Sequence, residues 1–138
     1  ETMERLGHTP HIVHAEGEGW EMEEIGYRCG KQALISKQFA TNTVFCSNDR
    51  LAIGFLVAAY ELGLRVGLGE GCAMRVAGHD NHPFSRFTCP TLTTVSHNYA
   101  LIAASGVETI LKVIESGVPD PHRKTTLFDG ELIMRASA

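Results

Sequence analysis

Thr43-Val-Phe-Cys-Ser-Asn-Asp-Arg-Leu-Ala-Ile-Gly-Phe-Leu-Val-Ala-Ala-Tyr-Glu-Leu-Gly63 holds a strand, a turn and a helix with nothing between them. Thr43–Cys46 is a short continuous apolar run, the pattern of a strand covered on both faces. Ser47-Asn48-Asp49 offers a ready-made N-cap. Leu51, Ala52, Phe55, Ala59 and Leu62 then fall on one helical face, and Gly63 closes the helix. A strand running straight into a capped helix is the β–α junction of a layered α/β protein.

Working outward, Ala73–Ala77 is the next strand candidate and ends in Gly78-His79-Asp80-Asn81. A loop with Phe84 and Phe87 leads to Pro90, and Leu92–Val95 reads as another strand. A helix is expected from Asn98 to Ser116, stopping at Gly117 before Pro119. On the amino-terminal side, His11–Ala15 is a short β-prone run followed by the loop residues Gly17-Glu-Gly19. From Trp20, the stripe Met22, Ile25, Gly26, Cys29, Ala33 and Leu34 marks a helix with acids near its start. The first seven residues read as the end of a helix that Leu6-Gly7 and Pro10 stop. A helix tail with nothing before it predicts that the polypeptide continues upstream. Leu127-Phe-Asp-Gly-Glu-Leu-Ile133 is readable as an Asp-Gly hairpin or as one kinked extended segment. This alternation predicts an α/β fold, a mostly parallel sheet layered with helices. Ligands of such sheets bind at the carboxyl ends of the strands. Residues 15–20, 47–49, 78–81 and 96–99 are therefore expected to converge.

The composition narrows the function classes. The chain has 138 residues, 43% apolar and 20% charged, with formal charge −4. That length suits one domain, or one lobe of a larger one, at roughly 100–200 residues per domain. No stretch concentrates Lys and Arg, so this segment offers no nucleic-acid surface. No apolar run reaches the roughly 18 residues of a membrane span. Cys29, Cys46, Cys72 and Cys89 never form a Cys-x-x-Cys pair. They read as free thiols suited to a reducing cytoplasm.

The polar residues at strand ends each carry two readings. Of Asn48 and Asp49, one caps the helix, and the other can face the crevice and bond a ligand. Asp80 is either a turn former or a carboxylate accepting several hydrogen bonds from a hydroxyl-rich ligand. Trp20 and Tyr99 either pack on neighbouring helices or lay an aromatic face against a sugar ring or base. His8, His11 and His14 are three apart, but Pro10 blocks a helix, and on a strand 11 and 14 face opposite sides. His79 and His82 flank Asp80 without a third ligand at recognisable spacing, so no metal site is expected. No cofactor is expected, and neither is an enzyme: Gly-x-Ser-x-Gly, a P-loop and a strand-borne Gly-x-Gly-x-x-Gly are all absent. The helix 50–62 also bears Ile53, Val57 and Tyr60 off its apolar stripe. An apolar second face must be buried somewhere, and with Phe84 and Phe87 it predicts a symmetric dimer contact.

Five pieces in order resemble LacI-type transcriptional regulators. They are Phe45-Cys-Ser-Asn-Asp-Arg-Leu-Ala-Ile-Gly54, Gly63-Leu-Arg-Val66, Val76-Ala-Gly-His-Asp80, Pro90-Thr-Leu-Thr-Thr-Val95 and Glu131-Leu-Ile-Met-Arg135. The match spans nearly the whole chain and corresponds to the C-terminal part of the effector-binding domain. The resemblance implies a periplasmic-binding-protein-like fold of two α/β lobes with a small-molecule effector between them. It implies a cytoplasmic homodimer that binds operator DNA through an N-terminal helix-turn-helix headpiece. That headpiece and the first half of the core would lie outside this chain, leaving a partial effector-binding domain. Carried onto matching positions, effector contacts fall on Trp20, Asn48, Asp80 and Tyr99, and dimer contacts on Ile53, Val57, Phe84 and Phe87. Two positions depart from the family pattern: Asn81 stands where many relatives have a second Asp, and His79 where an aromatic is usual. Sugars, sugar acids, phosphosugars and purines all remain open as effectors. The competing reading is a periplasmic sugar-binding protein of a transporter, which shares the fold and an Asn-Asp-x-x-Ala-x-Gly element.

Overall fold

The computed structural model describes residues 2–117 and 125–138. In chain order the elements are α1 (Thr2–Arg5), α2 (Met22–Ile35), β1 (Thr43–Phe45), α3 (Asp49–Glu61), β2 (Arg75–His79), a 3₁₀ turn (Pro83–Arg86), β3 (Thr93–Ser96), α4 (Tyr99–Ser116) and β4 (Glu131–Ile133). The four strands form one sheet in the order β1-β2-β3-β4. The first two pairings are parallel, with Val44 opposite Val76 and Gly78 opposite Thr94; β4 returns antiparallel, Leu132 opposite Val95. The α/β reading holds, and three parallel strand ends point the same way.

Asn48 starts α3: its side-chain oxygen accepts the Leu51 backbone N–H at 2.8 Å. Ala52, Phe55, Leu56 and Ala59 of α3 are buried with Met74, Val76 and Leu92 in the core. Phe39 meets Phe55 edge-on, ring centres 5.5 Å apart. On its other side α3 packs on α2, and the backbones approach so closely that side chains are excluded. A Cβ at Gly54 would sit 1.9 Å from the Glu23 carbonyl oxygen, and one at Gly26 2.2 Å from that of Leu51. Arg50 clamps the same contact with two 2.6 Å bonds to the Glu23 carboxylate.

One expectation changes, an open alternative closes, and an expected helix lies uncovered. The β-prone run at His11–Ala15 is not a strand. β1 is an edge strand, and a groove of about 460 Å³ lined by both segments separates it from residues 11–15. Without a ladder, β propensity alone does not make a strand. The tail forms no hairpin within itself: residues 125–130 run without secondary structure into β4, which pairs with β3. Gly130 permits this, since a Cβ there would lie 2.7 Å from Val95 Cγ1. Finally, α4 begins and ends where its sequence predicted, with Gly117 at φ 69° as its left-handed stop, but it buries none of its residues. Pro119, read as reinforcing that stop, lies outside the described residues.

Ser137 is fully buried between β2 and β3. Its hydroxyl donates to the Val76 carbonyl at 2.6 Å and accepts the Thr93 N–H at 2.8 Å, while its carbonyl accepts the Val76 N–H at 2.9 Å. One residue thus bridges the starts of two strands.

Candidate ligand site

The carboxyl ends of β1, β2 and β3 present Ser47-Asn48, Asp80-Asn81 and His97-Asn98-Tyr99 to one side of the sheet. Beneath them lies Asp49, completely buried. Its Oδ2 accepts the His82 N–H at 2.7 Å and the Ser85 hydroxyl at 2.6 Å, and its Oδ1 accepts the Thr94 hydroxyl at 2.6 Å. Gly78 makes room for it, because a Cβ there would fall 2.2 Å from Asp49 Oδ1. Asp49 therefore ties the start of α3 to the loop after β2 and to β3. Asn48 is the cap and Asp49 the tie, so the Asn48 amide nitrogen is the group of this pair left to meet a ligand. No bond to that nitrogen occurs among the described residues.

Asp80 sits at φ 104° and Asn81 at φ 50°. Two consecutive left-handed residues are costly except for Asp, Asn and Gly, and such backbone gathers at ligand clamps. Arg135 braces the turn, its guanidinium donating to Asn81 Oδ1 at 2.7 Å and to the Leu92 carbonyl at 2.6 Å. The Tyr99 hydroxyl reaches the Asp80 carbonyl at 3.3 Å and its Oδ1 at 3.4 Å. Burial, followed by the Asp80 charge, pushes the Tyr99 phenol above its ordinary pKa, so it remains a hydrogen-bond donor. Asp80 and Tyr99 are thus brought together, as the strand-end argument expected. Trp20 stands apart: it is 83% exposed just ahead of α2. No hydrogen bond or ring contact joins it to the others among the described residues.

The histidines rearrange the sequence picture. His82 turns to its own 3₁₀ turn, accepting the Phe84 N–H at 3.3 Å. His79 is met instead by His97, with the two Nε2 atoms 2.9 Å apart. His79 Nδ1 lies 3.1 Å from Asp80 Oδ1. Sequence spacing missed His97 because its neighbour is across a parallel crossover, 18 residues away. Asp49 and Arg135 both lay in quoted motifs, yet their inward direction had no local signal.

All four cysteines are free thiols. Burial, with the Asp49 charge adding to it, pushes Cys46 up to about 12; it is a core thiol without nucleophilic character at neutral pH. The residues expected at a dimer contact lie on the surface: Val57, Phe84 and Phe87 are exposed and Ile53 is half-buried.

Comparison with known proteins gives this arrangement a context. Residues 1–138 match the periplasmic binding protein-like domain. The chain is 38% identical over 99 residues to the HTH-type transcriptional repressor PurR of Pectobacterium atrosepticum, covering 72% of this chain and 28% of the repressor. It is 35% identical over 112 residues to the HTH-type transcriptional regulator MalR of Streptomyces coelicolor, 81% of this chain and 30% of the regulator. Among solved structures, a LacI family transcriptional regulator from Arthrobacter sp. FB24 in complex with lactose aligns with TM-score 0.75 at 25% identity, over 99% of this chain and 47% of that one. The Lac repressor bound to ONPG aligns with TM-score 0.77 at 25% identity, over 99% and 38%. The chain thus spans under a third of these curated relatives and under half of these solved chains. The relatives are regulators, which favours that reading over a transporter's binding protein. The chain belongs to the periplasmic binding protein-like domain family.

Proposed function

We propose that this chain is the C-terminal part of the effector-binding domain of a cytoplasmic, DNA-binding transcriptional regulator that responds to a small polar metabolite such as a sugar. The N-terminal DNA-binding headpiece and the first half of the core lie outside it, so operator binding belongs to another part of the protein. The observation that carries this reading is the meeting of Asp80 and Tyr99 at the carboxyl ends of adjacent parallel strands, over the Asp49 tie. An ionised carboxylate held in a strained turn, with a phenol donor beside it, suits a ligand rich in hydroxyls. Trp20, Asn48, Asp80 and Tyr99 are the proposed effector contacts, and no residue is assigned a catalytic role. The sugar class draws support from the lactose in the Arthrobacter regulator. That α4 has no buried residue supports a partner lobe outside the chain, since an apolar helix face requires cover.

Asp80→Ala in the intact regulator is expected to weaken effector binding by roughly ten- to a hundredfold, a hydrogen bond to a charged group being worth about 1.5–3 kcal/mol. Calorimetry that finds unchanged affinity in the folded variant removes Asp80 from the site.

The proposed homodimer uses Ile53 and Val57 of α3 together with Phe84 and Phe87. Phe84 is 66% and Phe87 76% exposed, and Tyr60, about one turn on from Val57 in α3, is exposed as well. A self-complementary patch is what a two-fold contact needs. Sedimentation velocity at micromolar concentration should return a dimer for the intact protein and a monomer for Phe87→Asp. A monomeric unsubstituted protein contradicts the assignment.

A further inference from the structure

Among the described residues, His79, Asp80 and His97 bring one ligand atom each within 4.8 Å of one another. His79 ends β2, Asp80 follows it, and His97 comes just after β3. The two parallel strands therefore deliver all three donors to the same end of the sheet. The side chains are neither buried nor free in solvent: His79 is 34% and Asp80 46% exposed. Aromatic rings fix the imidazoles, Phe45 edge-on to His79 at 6.4 Å and Tyr99 beside His97 at 5.8 Å.

The geometry points to a binding site for a divalent transition-metal ion of the zinc class, held by the Nε2 atoms of His79 and His97, with the Asp80 carboxylate supporting His79 from its Nδ1 side. When His79 donates its Nδ1–H to Asp80, its Nε2 is left with a lone pair aimed at His97. A carboxylate fixing an imidazole tautomer in this way is the usual support of a metal-bound histidine. The two Nε2 atoms are 2.9 Å apart. Two nitrogens bonded to one zinc ion at about 2.0–2.1 Å lie roughly 3–3.4 Å apart, so the rings need to part by only a few tenths of an ångström. Without an ion, one of the two nitrogens must hold a proton between them. With an ion, both become acceptors of the same cation, and His97 carries its proton on Nδ1. Two imidazole nitrogens are borderline-soft donors that suit zinc, nickel or cobalt over magnesium or calcium. Such a set leaves coordination positions open. These face the strand ends, where adjacent hydroxyl or carboxylate oxygens of an effector can complete the shell; this last step rests on the regulator reading, whereas the metal site does not.

The test is calorimetric titration of the chelator-stripped full chain, free of any histidine tag, with zinc chloride, paralleled by the visible spectrum of cobalt(II). One ion is expected per chain with affinity near micromolar, and cobalt absorption showing nitrogen ligation. His79→Gln and His97→Gln should each weaken binding by at least tenfold, and Asp80→Asn by less, with circular dichroism establishing that each variant is folded. Wild-type zinc affinity in folded His97→Gln overturns the proposal, since an ion held by His8, His11 and His14 would survive that change. Absence of zinc binding in the folded, unsubstituted chain overturns it too. Neither operator nor effector enters the titration, so its failure leaves the regulator reading standing on the Asp80→Ala effector measurement.

Discussion

Asp49→Ala is expected to destabilise the fold by about 3–5 kcal/mol, beyond the range of ordinary surface substitutions. The carboxylate is fully buried and accepts three hydrogen bonds of 2.6–2.7 Å. Removing it leaves the Ser85 and Thr94 hydroxyl protons and the His82 N–H without their acceptor, although Thr94 Oγ1 still accepts the Asn81 N–H at 3.2 Å. Each unsatisfied buried group costs about 1–3 kcal/mol, with partial relief where water enters. Asp49→Asn keeps the shape and one oxygen, and the Thr94 hydroxyl can rotate to accept from the new amide. It should therefore cost only about 1–2 kcal/mol. Urea denaturation of the three proteins measures both values. A loss below about 1 kcal/mol for the alanine variant would show that the tie is dispensable.

The second large effect is expected at the crossing of α2 and α3. Gly54→Ala puts a methyl group 1.9 Å from the Glu23 carbonyl oxygen and 2.6 Å from the Tyr27 nitrogen. Both obstacles are helix backbone, so no side chain can swing aside. The helices must separate, loosening the Arg50–Glu23 clamp and the packing of Ile25 and Ala33. Overpacking typically costs about 1–3 kcal/mol and more where the backbone must move, and a value near 3 kcal/mol is expected. Higher intrinsic helix propensity of alanine offsets this by about 1 kcal/mol at most. A variant as stable as the parent in thermal melts would mean that the two helices do not touch at Gly54.

Sequence carried most of the architecture where local pattern and long-range pairing agree. The junction at Thr43–Gly63 gave strand, cap and helix because Asn48 caps through its own side chain, a purely local act. Pairing partners are different: His11–Ala15 has strand composition but no ladder beside it, and composition does not say which edge is filled. For the site, β–α topology placed Asp80 and Tyr99 together in advance, since strand ends converge whatever the residues. It did not separate Asn48 from Asp49, because adjacent polar residues at a turn diverge and only the space left by Gly78 decides which goes inward. His97 lay within the 96–99 cluster expected to meet 78–81, but its pairing with His79 was not singled out, because that partner is a neighbour in the sheet and not in the chain. Trp20 is a surface residue, and its proposed place at a ligand rests on the family pattern.

The bridge made by Ser137 sets an order in time. Val76 and Thr93 are synthesised long before residue 137, and until it arrives the first turn of their ladder lacks the hydroxyl and the carbonyl that join them. A chain emerging from the ribosome can cap α3 and bring α2 against it early, since those contacts are short in sequence. The sheet beside them must wait, half-stitched, until residue 137 has emerged. A product cut short of residue 137 would hold the helices and lack the seam.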